Sequence, residues 1–384
     1  MSERGDQMDA RLTESAETDQ QPGSRAEGDR VTVRFDREPR SLPEAERGSA
    51  VVVTGETRIG VGAVGVVQIF GHSKIETQGD LKIGLGTGRP SGSVTVERAA
   101  RLDVDGTLSV GAGGEGLLRV LDLSVVTCNA LLVGGNTQQA NGTIILQDEP
   151  TLFVSGNAQV GAGTGTGLIE IDSSPAELVV NGTLTIGGPG GGKVIVNGVI
   201  RGGGLVVVVP NGRLEGTGTV SVAKVDAGGY IAPGLSPGTL TIDGDLEMLP
   251  TGVLVMEHEG PNPGQFDVLH VTGQTTLGGR LEVHFRGDFS PDDPAAFIQS
   301  QDFVEADQGI TGDYDQRIYA FPDLFADFDD DGDKDLLDAA EFMNCFGRSG
   351  GQLQPACARA DWEDNETIDL TDARELAARL TGPQ

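Results

Sequence analysis

The sequence predicts an all-β right-handed parallel β-helix, a solenoid, over residues 31–320, followed by a small α-helical domain built on two acidic loops over residues 321–384. Three observations carry this. One short phrase recurs through residues 55–285; glycine fills 59 of 384 positions while only 4% of residues are aromatic; and the carboxyl end holds two twelve-residue runs of oxygen-bearing side chains. Residues 1–30 are polar and acidic, too poor in apolar side chains to bury a core, and read as a disordered segment.

The recurring phrase is Gly79-Asp-Leu-Lys-Ile-Gly84, then Gly106-Thr-Leu-Ser-Val-Gly111, Asn129-Ala-Leu-Leu-Val-Gly134, Gly156-Asn-Ala-Gln-Val-Gly161 and Gly182-Thr-Leu-Thr-Ile-Gly187, with starts 27, 23, 27 and 26 residues apart. Alternation of Val, Ile and Leu with polar residues makes half-buried strands, and the Gly, Asn and Asp between them tolerate the positive φ of turns. A period in the twenties with two or three short strands, and no helix-length pattern, describes a solenoid coil. Roughly eight to ten coils at about 4.8 Å each make a rod of about 40–50 Å. Gly60-Val-Gly-Ala-Val-Gly65 fits a dinucleotide fingerprint, but β-branched residues follow where a helix must begin, so it reads as a corner.

The run at 327–338, Asp-Phe-Asp-Asp-Asp-Gly-Asp-Lys-Asp-Leu-Leu-Asp, places carboxylates at positions one, three, five, nine and twelve, with Gly332 at six. A hard cation such as Ca²⁺ takes six to eight oxygens and needs a sharp backbone turn to gather them. Asp327, Asp329, Asp331, Asp335 and Asp338 supply side chains, and Asp333 its carbonyl. A poorer copy spans 361–372, with Asp361, Glu363, Asn365, Thr367, Asp369 and Asp372 as candidate ligands. Glu366 holds its turn position, where a side chain is strained, so this loop is either weaker or empty. Each loop runs into a helical pattern, and neither has an entering helix. Cys345 and Cys357 bracket the connection between the loops. They form either a disulfide, worth about 3 kcal/mol and implying an oxidising compartment, or two reduced thiols packed between helices.

Tandem loop-then-helix units without entering helices resemble the dockerin type I module over residues 323–384. That resemblance implies calcium at both loops and a cohesin-like partner contacted through loop positions ten and eleven. Those positions hold Leu336, Leu337, Leu370 and Thr371 instead of the usual small hydroxylated pair, which puts cohesin recognition in doubt. Ala232-Pro-Gly-Leu-Ser-Pro-Gly-Thr-Leu-Thr-Ile-Asp-Gly-Asp-Leu246, Phe266-Asp-Val-Leu-His-Val-Thr-Gly273 and Gly278-Gly-Arg-Leu-Glu-Val283 are similar to a late coil of autotransporter passenger solenoids. Ile310-Thr-Gly-Asp-Tyr314 matches the strand that closes such coils. This second resemblance implies an exported rod and no chemistry.

A net charge of −31 argues against nucleic acid and against anionic membrane surfaces, and no apolar run is long enough to span a bilayer. No signal-peptide pattern is visible, although the composition suits an extracellular or cell-surface setting rich in calcium. His258 between Glu257 and Glu259, with Asp267, His270 and His284 nearby, is the one cluster suggesting acid–base catalysis or a transition metal; strand alternation reads these more simply as outward polar positions. Arg286-Gly-Asp288 and the Asn-Gly-Thr sequons at 141 and 181 read as turns, and Cys128 as a small buried filler. The expected function is a structural or adhesive surface solenoid ended by a calcium module, with a cell-surface protein or glycan as partner. The alternative is a polysaccharide-degrading hydrolase or lyase carrying a dockerin. No catalytic residues are assigned.

Overall fold

The computed structural model describes residues 50–61, 64–85, 91–234, 237–286, 294–299, 303–320, 336–348, 367–370 and 372–374. The described residues between 50 and 320 form a parallel β-solenoid with three strand ladders. The third ladder is the simplest to follow. It stacks eleven parallel strands in chain order, from Gly65–Phe70 through Ser91–Glu97, Glu115–Leu121 and Gly142–Gln147 to Arg280–Phe285 and Gln316–Ala320. Ten of these rungs start within residues 55–285, and the eleventh lies beyond Ile310–Gly312, the strand expected to close the rod. The other two ladders share one 18-stranded sheet, because strands such as Arg101–Val110 and Thr219–Ala227 run through both. Register shifts between Val104 and Thr107, and between Ser221 and Lys224, mark the bend where one ladder passes into the next.

Alternation sends every second side chain inward, where identical positions stack from coil to coil. Leu81 pairs with Leu108, Leu108 with Leu131, Leu131 with Ala158 and Ala158 with Leu184, all buried. On the third ladder Val94, Leu118, Ile144, Ile169, Val194 and Leu214 do the same. Burying each aliphatic side chain contributes roughly 1.5–3 kcal/mol before entropy is counted. The column needs branched chains of similar size, which is why the sequence holds so few aromatics. Cys128 lies in this core, 4% exposed, with burial pushing its thiol up to about 12.

Two glycine columns make the corner into the third ladder. The repeat-ending Gly84, Gly111, Gly134, Gly161 and Gly187 all have positive φ, between 73° and 108°, a region that a side chain strains. One step later Gly65, Gly92, Gly116, Gly142, Gly167, Gly192 and Gly212 stack in register. There the backbones of successive corners come so close that a Cβ on Gly142 would sit 2.1 Å from the Val110 carbonyl oxygen. Asx side chains tie coil to coil at other corners: Asp80 Oδ1 accepts the Thr107 amide at 2.8 Å and Asn157 Oδ1 the Thr183 amide at 2.9 Å.

Outside the rod, a helix spans Leu336–Cys345. Phe342, Cys345 and Ile368 are buried, and the Gly347 amide donates to the Ile368 carbonyl (2.8 Å) while the Ile368 amide donates to Arg348 (3.0 Å). Among the described residues no helix is long and apolar enough to cross a membrane.

Candidate functional site

Asp327, Asp329, Asp331, Asp333 and Asp335 of the first acidic loop, and Asp361, Glu363 and Asn365 of the second, lie outside the described residues. So does Cys357, whereas Cys345 is disulfide-bonded. Asp338 falls within the Leu336–Cys345 helix. The end of the second loop is visible. Asp372 is fully buried, and its Oδ2 accepts the Asp369 amide at 2.7 Å. The Ala373 amide donates to the Asp369 carbonyl at 3.1 Å. Asp369 therefore opens a helical turn, and Asp372, three residues on, reaches back to its amide as a capping box does. Thr367 is half-buried beside Ile368. The same carboxylate spacing that suits a twelve-residue cation loop thus also starts the helix after it. Among the described residues no group of three or more His, Cys, Asp or Glu is placed to hold a metal ion.

The strongest concentration of chemistry on the rod surrounds Asp267. Outward positions on Gly212–Gly216 carry Arg213 and Glu215, while the next strand, Tyr230–Pro233, sets Tyr230 beside Arg213 and the small Ala232 beside Glu215. The small residue and the following Gly234 leave a cavity of about 300 Å³, closed by Val255, Glu257 and Asp267. After His258 the chain doubles back: His258 bridges Phe266, the Glu259 amide donates to Gln265, and the Asp267 amide donates to Glu257. That return delivers Asp267 beneath the loop before Thr239, 1% exposed. Its Oδ1 accepts the Gly238 amide (2.9 Å) and its Oδ2 the Glu257 amide (2.8 Å). A Cβ at Gly234 would lie 2.1 Å from Oδ1, so glycine is required beside the carboxylate. Burial pushes the Asp267 carboxyl up to about 7, against the pull of the two amides. Glu215 is paired with Lys193 at 2.6 Å and with Arg213, and Glu257 with Arg286.

The expectation that His258 and Asp267 point outward is corrected here. Leu254, Met256 and His258 share the inward phase of Val253–His258, and His258 is fully buried. Its ring stacks on Phe266 (centroids 5.1 Å apart, planes 12°) and meets the edges of Phe297 and Phe303 at 5.7 and 6.2 Å. Neither ring nitrogen has a hydrogen-bond partner among the described residues, and burial pushes the pKa down to about 4. A neutral imidazole inside an aromatic cage is a packing group with no access to a substrate. His270 lies 3.4 Å from Asp307 and His284 3.8 Å from Glu282, each partly exposed. The four residues do not form one site.

Chemically, the Asp267 cavity offers a carboxyl that changes charge near neutrality beside two ion-paired carboxylates. Both Asp267 oxygens already hold backbone amides, so its first task is to fasten the 258–267 return to the rod. Asp267→Ala should cost about 2 kcal/mol in urea unfolding at about pH 5, where the carboxyl is neutral, because it leaves the Gly238 and Glu257 amides without their acceptors. Nothing in the local sequence marks this contact: the partners lie 29 and 10 residues away. No family model matches this chain, and no curated protein matches it at a significant level.

Proposed function

We propose that this chain is an exported or cell-surface structural β-solenoid, right-handed, whose dockerin-like C-terminal module binds calcium through Asp327, Asp329, Asp331, Asp333, Asp335 and Asp338, and more weakly through Asp361, Glu363, Asn365, Thr367, Asp369 and Asp372. The observation that carries the rod is the eleven-stranded ladder held in parallel register; at about 4.8 Å per rung it gives a stiff body of about 50 Å. Right-handedness follows the general rule for parallel crossovers. The calcium reading rests on the spacing of the acidic loop and on the burial of Phe342, Cys345 and Ile368, the last tied to Gly347 and Arg348 by backbone hydrogen bonds at the end of the second loop. A Cys345–Cys357 disulfide belongs to the same reading and fits an oxidising exterior. The partner is a cell-surface protein or glycan, or a cohesin-like domain.

Calorimetry on the full chain tests it. Calcium at about 100 times its Kd should stabilise the tail by about 2.7 kcal/mol. Asp331→Ala or Asp338→Ala should abolish most of that and speed hydrogen exchange in residues 336–374. Exchange in residues 101–258 should not change, because solenoid coils feel only their neighbours. Absence of heat at millimolar calcium, with melting unchanged by chelator, overturns the proposal.

A polysaccharide-degrading function draws support from the Asp267 cavity, where burial holds a carboxyl near neutrality between Glu215 and Glu257. The two amides on Asp267 weigh against it. Release of reducing or unsaturated sugars from a polyanionic glycan would establish it.

A further inference from the structure

The first coil is the end of the rod among the described residues. Its strands Ala50–Val53, Thr57–Val61 and Gly65–Phe70 each have one parallel neighbour among the described residues, on the side of the second coil. Above them a cavity of about 590 Å³ is lined by Val51, Val53, Ile59, Val67, Ile69 and Leu81. Such an edge leaves a row of backbone groups without a strand partner among the described residues, over side chains that are buried (Ile69, Leu81) or half-buried (Val51, Val53, Ile59, Val67), a template for another strand.

We propose that residues 31–37 of this chain, Val-Thr-Val-Arg-Phe-Asp-Arg, add a parallel strand to Thr57–Val61 and cover the face. The register comes from the rod itself. Ala50 pairs with Lys74 and Thr57 with Leu81, a step of 24 residues on two ladders. One step of 24 back from Thr57 and Ile59 arrives at Val33 and Phe35. These continue the inward columns of Thr57–Leu81 and Ile59–Ile83 and set an aromatic ring over the aliphatic core. Arg34 then continues the outward column of Arg58 and Lys82, whose charges Glu56 already gathers. Residues 38–49 give the same length of twelve residues before Ala50 that separates Val61 from Lys74. A second copy is the poorer occupant: it would bring together two chains of net charge −31, whereas the tethered segment is present at about millimolar effective concentration.

The test uses the full chain. Arg34→Cys with Arg58→Cys should form an intramolecular disulfide under mild oxidation, identified by a peptide joining 34 to 58 in monomeric protein. Arg34→Cys with Lys82→Cys, one coil further, should not. Val33→Asp with Phe35→Asp should raise amide exchange in residues 57–70 about tenfold and leave residues 101–210 unchanged. A crosslink that forms only between molecules, no crosslink at all, or unchanged protection in the double aspartate variant overturns the proposal.

Discussion

Gly142→Ala should cost the solenoid about 3 kcal/mol, seen as a lower urea midpoint at unchanged slope. The added methyl would stand 2.1 Å from the Val110 carbonyl oxygen and 2.6 Å from the Gly134 nitrogen. Both obstacles are backbone, held by the ladder; the Gly134 amide itself donates to Val110 at 2.9 Å. Neither can swing aside as a side chain would. Gly203→Ala is the matched comparison: nothing lies within 4 Å of its Cβ position, and its change should stay within about 0.5 kcal/mol. Equal losses at the two sites would show that crowding at the corner does not govern stability. Hydrogen exchange should also place the damage, quickening residues 115–171 and sparing the coils beyond 219.

Acidification should separate His258→Phe from the parent protein. The folded pKa of His258, about 4, lies below its ordinary value of 6.5. Protons therefore bind the unfolded chain first; the loss begins as pH falls below about 6.5 and is complete below about 4. At about 1.4 kcal/mol per unit this amounts to about 3 kcal/mol. Asp267 works in the opposite sense. Its folded pKa, about 7 against an ordinary 3.8, imposes a cost that is full above pH 7 and is relieved as pH falls toward 3.8. In the parent protein the two largely offset each other between pH 7 and 4. With phenylalanine in the cage the histidine loss disappears, so the variant's advantage should widen by about 3 kcal/mol from pH 7 to pH 4. A gap that stays constant across that range would show that His258 is not held neutral by burial.

Much of the rod is legible in the sequence because its information is local and repeated. Leu81, Leu108, Leu131 and Leu184 each sit two residues after a turn-forming start, and the closing Gly84, Gly111, Gly134, Gly161 and Gly187 are the positive-φ corners. The later coils are harder to read because their spacing stretches. Leu246 to Thr275 is a step of 29 and Thr275 to Ile310 one of 35, with the helix Pro294–Gln299 inserted in the latter. The last rung, Gln316–Ala320, has no matching phrase to announce it. At His258 the sequence shows the period but not the phase: Leu254 and Met256 set the inward side, while the flanking Glu257 and Glu259 suggest a surface position for the histidine. The Asp267 contacts join residues from different coils, which no local pattern encodes. At Asp372 the spacing of cation-loop ligands coincides with that of a helix cap, so sequence alone does not separate the two uses. The rest of the acidic loops lies outside the described residues.

The direction of the ladder hydrogen bonds has a mechanical consequence. They run along the long axis, so a load applied to the two ends opens them in tension, one turn at a time, where a shear geometry would make a whole strand yield at once. Peeling of this kind proceeds at low force and over a long distance. A coil of 24 residues such as the first would release about 80 Å of slack. A tether built this way gives under strain and rewinds when the strain is gone.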